Sequence, residues 1–322
     1  MALTRTQKLE FFTTRVLQSL ASDSIIAPLL RNAIEYVSEP GAYTYGDTVN
    51  ITIADKRSTT IHTDLDANPD VSYTKGQITN FPVTLTALAE TNITMDSLDR
   101  VISSHNEGVV DSFLTQSVTD FVEAIEKDLY VRTFNLASLD ANTLGTTGDT
   151  MTIADIINLE KEFLNDKWKG VVNCVISPTV AAQLKTDFTN RYTSFTAQEG
   201  TQVGRQGFVI NEVPNVRFYT STELPTLTEL TNITGTSTNL VNFAFAEQSV
   251  ALFNPEIRDE SGGDFPGIRV SNNNAGGMNY QLTEYAKGDT VINQFFTKML
   301  SLYGTGIFRP NLVKPVLGGT IS

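Results

Sequence analysis

A single cysteine, Cys174, stands in a chain of 322 residues, so no disulfide can form within it. It sits in the apolar run VVNCVI. That run reads as a buried strand with an inert thiol, since no basic partner stands nearby to stabilise a thiolate. Histidine is nearly as scarce: His62 and His105 are the whole supply. Neither has a cysteine or second histidine at ligand spacing, which argues against zinc. His105 reads instead as a face residue of a long helix. No apolar run approaches the roughly 18 residues that cross a membrane as a helix. The opening MALTRTQKLEFF lacks the apolar centre of a secretory signal. The expectation is a protein made in a cytoplasm, so the N-x-T triplets at Asn50, Asn92 and Asn232 are chance matches.

Catalytic patterns are missing too. There is no G-x-S-x-G elbow and no P-loop. Gly304 and Gly306 do not complete a dinucleotide fingerprint. Asp64, Asp66 and Asp70 in TDLDANPD superficially resemble a calcium loop. The glycine at the sixth position is absent, and Lys75 stands where the twelfth-position glutamate belongs. A solvated acidic loop is the better reading. No catalytic, cofactor or metal site is expected.

What the chain does have is acidity, strand patterning and reach. Its 36 acidic and 23 basic residues leave a net charge of -13. That field opposes general nucleic-acid binding and favours solubility. With 40% hydrophobic residues it can bury a substantial core. Residues 16–36 carry apolar positions at helical spacing, with a break near 21–23. Pro28 fits the first turn of the second piece, with Asp23 or Ser24 as cap. In YGDTVNITIADKRSTT, Val49, Ile51 and Ile53 share one face of a strand. Phe81, Val83 and Leu85 do the same in 77–88, so the two segments read as legs of a hairpin. Pro82 places its leg at an edge. Between the legs, residues 54–76 are polar and carry Lys56, Arg57, Asp64, Asp66 and Lys75. The connection is far longer than an ordinary hairpin loop of about 2–5 residues, so it is either functional or disordered. A fully extended leg of about 20 residues would reach about 65 Å, against a radius of gyration of about 20 Å for a compact chain.

A long helix is expected over 97–134, capped by Asp96, with an apolar stripe that drifts around its axis. Gly108 is the candidate site of a bend. Then helix and strand alternate. Thr152 caps a helix to Trp168 that Gly170 ends. VVNCVI is a strand, and Ser177-Pro178 starts a helix. GFVINEVPNVRFYTS is a strand pair, 222–239 a polar surface loop, and NFAFAEQSVALFN one or two strands. Gly262-Gly263, Asn272 to Asn274 and Gly276-Gly277 mark a loop-rich crossing. FFTKMLSLYGTGIFRPNLVKPVL reads as closing strand, although the spacing over Val291 to Leu302 also fits a helix. The class is α+β.

Arms and hairpins larger than one core requires usually meet another chain, most often a copy of the same one. Lys56 and Arg57 then have an acidic patch on a neighbour as their target, and the apolar face of the hairpin a resting place there. In this order of elements, the sequence resembles the major capsid proteins of tailed bacteriophages, the Hong Kong 97 type. The carriers are the hairpin legs 45–53 and 77–88, the spine helix 97–134, GFVINEVPNVRFYTS as an axial-domain strand pair, and LYGTGIFRPNLVKPV as the closing peripheral-domain strand. The resemblance implies an N-terminal arm (1–43), an extended β-hairpin loop (44–87), a peripheral domain with the spine helix (88–144 and 286–322) and an axial domain (145–285). It further implies pentamers and hexamers of an icosahedral shell around double-stranded DNA, in a virion assembled in the host cytoplasm. Lys56, Arg57, Asp64, Asp66 and Lys75 are the candidate intersubunit contacts, and Gly108 the candidate spine bend. The short arm implies a separate scaffolding protein; the resemblance adds a portal, leaves a cement protein open, and implies packaged DNA touched weakly inside. An encapsulin-like nanocompartment shell is the alternative reading, and a soluble α+β enzyme a remote one. With a net charge of -13, the free subunit should bind DNA weakly. Nanomolar affinity at physiological salt in a fluorescence-anisotropy titration would contradict this.

Overall fold

Strand alternation and one long helix set the architecture, and both follow from where the apolar side chains fall. The computed structural model describes residues 25–32, 43–54, 78–95, 107–135, 143–148, 150–192, 215–231, 233, 239–247, 249–257, 268–275, 277–287 and 294–318. In chain order the elements are β1 (Arg31–Asn32), β2 (Thr48–Ala54), β3 (Ile78–Thr84), β4 (Ala87–Met95) and α1 (Glu107–Asn135). Next come α2 (Ile153–Asn165), β5 (Val172–Ile176), α3 (Pro178–Tyr192), β6 (Val216–Thr220), β7 (Asn242–Ala246) and β8 (Val250–Phe253). The chain closes with β9 (Ile268–Ala275), β10 (Met278–Lys287), β11 (Gln294–Ile307) and β12 (Val313–Val316).

The larger sheet has six strands in the order β1-β8-β11-β10-β9, with β4 also on β11. The smaller runs β12-β7-β5-β6. β2 and β3 form a separate two-stranded sheet. The chain crosses between the two main sheets from β7 to β8 and returns from β11 to β12. Residues 145–285 and 286–322 therefore each contribute strands to both.

Helix α1 joins the sheets. Its 29 residues make it about 43 Å long at 1.5 Å per residue. Val118, Phe121, Val122, Ile125 and Leu129 share a face, and at 100° per residue Tyr130 and Phe134 point roughly 140° away from it. The first face meets the larger sheet, where the rings of Phe121 and Tyr280 lie 6.2 Å apart. The second meets the smaller sheet: Phe243 lies 4.7 Å from Phe134 and 6.4 Å from Tyr130. One buried cluster thus spans the helix and both sheets. The expected drift of the stripe is the mark of a helix with two partners. A second cluster fills the opposite face of the smaller sheet, where Ile156, Leu159, Phe163 and Leu184 of α2 and α3 cover Cys174, Ile176 and Val216. Burial pushes the Cys174 thiol up to about 12, so it is inert at neutral pH, as its apolar run suggested.

Several expectations hold. β2 and β3 pair antiparallel with Val49 opposite Val83 and Ile51 opposite Phe81. Pro82 sits in this two-stranded sheet, where an open edge removes the need for its N–H. The Thr152 N–H donates to Asp155 Oδ2 at 2.8 Å at the start of α2. NFAFAEQSVALFN gives two strands, and residues 294–307 are strand.

Others need correction. The second helical piece expected in 24–36 is a 3₁₀ turn, Ala27–Leu29, followed by β1. Pro28 does start the turn, but the edge of β8 captures Arg31 and Asn32. The second hairpin leg ends at Thr84, and β4, which was not expected, pairs with β11 from Ala87 to Met95. α2 stops at Asn165 rather than Trp168, and Gly170 does not end it. Lys167 adopts φ 63, and the N–H groups of Lys167 and Trp168 bond Leu164 O and Phe163 O, both at 2.9 Å. This is a Schellman stop with lysine where glycine is usual, at a cost of about 1 kcal/mol. The polar stretch 222–239 buries Leu224, Leu227, Leu230 and Ile233 in the main cluster. Their three-residue spacing was hidden among threonines. Asn272 to Asn274 lie within β9 rather than a loop. Asn272 Nδ2 donates to Ile257 O at 3.2 Å, so the amide is satisfied within strand structure. Of the expected helix 97–134, residues 97–106 lie outside the described residues, as do His62 and His105.

Phe243 has no solvent exposure and touches aromatic rings on both α1 and β7. Phe243→Ala should lower unfolding free energy by about 3–5 kcal/mol. Urea melts followed by circular dichroism measure it, and a loss below about 1 kcal/mol would refute the role assigned to this ring.

Candidate functional site

The hairpin β2–β3 stands outside both main sheets, so its root must be held by side chains and turns rather than by a continuous ladder. Two backbone bonds close the root: Gly46 N–H to Leu85 O at 2.8 Å and Leu85 N–H to Asp47 O at 2.9 Å. The Asp47 carboxylate accepts from the Thr44 N–H at 2.7 Å, fixing the approach turn by a local side-chain bond. Above this, Val49, Ile51, Val83 and Leu85 are buried with Ala251, Phe253, Leu302 and Phe308. Tyr43 stacks edge-on to Phe253 at 5.1 Å and Phe81 to Phe308 at 5.5 Å. The apolar face expected to rest on a neighbouring subunit is therefore, at its root, covered by the subunit's own β8 and β11. Hydrophobic burial found the nearest partner, which lies in the same chain.

β11 makes room for this crossing. A side chain on Gly304 would strike the Thr84 carbonyl oxygen, and a methyl on Gly306 would lie 2.5 Å from Val83 Cγ2. The G-T-G of LYGTGIF is thus a seat: two glycines on one face of a strand let another backbone lie directly upon it. A polar chain braces the seat from the helix. Tyr303, next to Gly304, donates its hydroxyl to Asp128 Oδ2 at 2.7 Å. Arg132 Nε bonds the same oxygen at 2.5 Å and its Nη1 reaches Thr86 Oγ1 at 2.9 Å. Burial, first, and then the hydrogen bond to Asp128 push the Tyr303 phenol up, so it stays a donor. Asp128 of α1 thus holds both β11 and the link that leaves the hairpin.

Farther along α1, Glu126 is 3% exposed. Its carboxylate accepts the Ile26 N–H at 2.9 Å and also the Ile25 N–H. These bonds anchor the N-terminal turn to the spine helix and compensate a carboxylate that would otherwise be costly to bury. Burial, helped by the charge of Glu126, pushes the Tyr130 and Tyr280 phenols up.

Of the candidate contacts, Lys56, Arg57, Asp64, Asp66 and Lys75 lie outside the described residues. Gly108 lies within α1 and is helical. Gly304, Gly306, Asp128, Arg132, Tyr303 and Glu126 carry the geometry and were not expected. Two glycines at period 2 in an otherwise apolar strand were the legible signal of a close approach. Asp128 and Glu126 left none, because only the fold shows that they face inward. Among the described residues, no three His, Cys, Asp or Glu side chains group as metal ligands. No described helix is long and apolar enough to cross a membrane.

No protein-family model matches the chain, and no curated protein matches it. Solved structures do. A chain in the structure titled capsid of Ralstonia phage GP4 aligns with a TM-score of 0.55 at 11% identity, covering 91% of this chain and 90% of that one. The capsid structure of cyanophage P-SCSP1u gives 0.52 at 12% identity, over 92% and 88%. A structure from Mycobacterium phage Che8 gives 0.53 at 15% identity, over 92% of each chain. The fold is mixed α and β. The chain shares this fold with the capsid chains of the Ralstonia phage and the cyanophage over about nine-tenths of their length, as the order of elements led one to expect.

If Gly304 is the seat, Gly304→Ala should destabilise the folded subunit by about 1–3 kcal/mol and increase hydrogen exchange in β2 and β3. Unchanged exchange there would overturn the assignment.

Proposed function

We propose that the chain is the major capsid protein of a tailed phage, a structural subunit without catalysis. Its copies form the pentamers and hexamers of an icosahedral shell around double-stranded DNA. The observation that carries this reading is the likeness to the Ralstonia phage capsid chain over nine-tenths of both molecules. The hairpin supports it: more than 20 residues join the two described legs, and the root of those legs is fixed by the subunit's own core. Such an arrangement suits a segment whose working contacts lie on another copy.

In this reading residues 1–43 are an arm, 44–87 the extended loop, 88–144 and 286–322 the peripheral domain, and 145–285 the axial domain. Lys56 and Arg57 engage carboxylates of a neighbour, with Asp64, Asp66 and Lys75 beside them, and Gly108 lets the spine bend as the shell changes size. Assembly proceeds in the host cytoplasm with a separate scaffolding protein and a portal, and the finished shell touches its DNA weakly.

Negative-stain electron microscopy of the purified protein tests the reading. Closed shells are expected, and a monodisperse monomer under all assembly conditions would refute it. The paired change Lys56→Glu and Arg57→Glu should leave the thermal melt of the subunit unchanged and reduce shell yield about tenfold or more. Wild-type yield from that variant would remove the clasp.

A further inference from the structure

A second surface lies on the far side of the smaller sheet. The end of α2 and the β11–β12 connection form a cleft of about 860 Å³ lined by Lys167, Trp168, Lys169, Arg309, Asn311 and Leu312, with Asp166 beside them. Asp166 is already engaged, since Lys314 Nζ lies 2.7 Å from its carboxylate. Lys167, Lys169 and Arg309 are all exposed. Among the described residues none of the three makes an ion pair. Three such cations in one cleft run against a molecule of net charge -13.

The cleft is built rather than incidental. Lys167 holds φ 63 at a helix stop where glycine fits without strain. Trp168 is fixed as a wall: its Nε1 donates to Val171 O at 3.1 Å and its ring lies against Gly170. The cleft adjoins an apolar patch. Ile157 and Leu164 are 55% and 48% exposed, and their spacing puts them on one face of α2. Leu164 O accepts the Lys167 N–H, so the exposed leucine stands one turn before the first lysine of the cleft.

We propose that this surface docks an acidic, partly apolar face of a second copy of the chain. The inference rests on the shell reading and adds a contact to it. A nucleic-acid backbone would satisfy the three cations and leave Ile157 and Leu164 in water. A protein face with carboxylates around apolar residues satisfies both. The chain itself supplies that chemistry, with 36 acidic residues against 23 basic. Assembly would present it at high effective concentration.

The test uses the full chain with two exposed-residue variants. One carries Lys167→Glu, Lys169→Glu and Arg309→Glu; the other carries Ile157→Ser and Leu164→Ser. Thermal melts check folding, and the milder Lys169→Gln with Arg309→Gln replaces the first if it fails to fold. Sedimentation velocity at low and high salt measures self-association, micrographs score shells, and anisotropy measures duplex DNA binding. Wild type should associate, and the charge variant about tenfold less at low salt, with the difference shrinking at high salt. The apolar variant should weaken association at both salts. Wild-type association and shells from both variants would overturn the inference and leave the shell reading intact. A charge variant that associates normally and loses DNA binding would replace it with a phosphate site. A wild type that stays monomeric throughout would overturn both readings.

Discussion

Helix α1 is buried on two sides, and the rest of the subunit depends on that. Phe121 commits it to the larger sheet through Tyr280, and Tyr130 and Phe134 commit it to the smaller through Phe243. Aromatic side chains bury the most surface per residue and prefer tilted and edge-on pairs such as these. Two sheets that share no hydrogen-bonded ladder are thereby held as one core. The strand crossings from β7 to β8 and from β11 to β12 reinforce the join, because neither sheet can be completed without the other's segment of chain.

That frame makes the hairpin useful. A two-stranded ribbon is marginal by itself, so its position has to be set by what it packs on. Gly304 and Gly306 let it lie on β11, and Asp128 links β11, Arg132 and Thr86 into one brace. The seat and brace are therefore what holds β2 and β3 on the core. The N-terminal turn is tied to the same helix by Glu126. Arm and hairpin, the two parts expected to meet neighbours, thus share one internal reference.

Much of this was visible in the residues. Val49 and Ile51 against Phe81 and Val83 announced a hairpin because period-2 alternation needs only a strand to explain it. Ser177-Pro178 and Thr152 announced helix starts because capping is local chemistry. β4 stayed hidden because ALAETNITM has the length of a strand but weak alternation, and only the open edge of β11 makes it one. The Leu224, Leu227, Leu230 and Ile233 series looked like loop because its polar neighbours outnumber it. Lys167 ended α2 against its own backbone preference, which no propensity scale anticipates.

By itself the sequence determined the class, the hairpin, the long helix with its drifting stripe, and the inert cysteine. Each depends on contacts within a few residues or on composition. The tertiary structure alone decided which strands share a sheet, why the glycines of LYGTGIF stand where they do, and where Glu126, Asp128 and the cationic cleft face. Those depend on chain segments about a hundred residues apart meeting in space, as Ile26 and Glu126 do, and the closure entropy of such contacts is repaid only by the whole core at once.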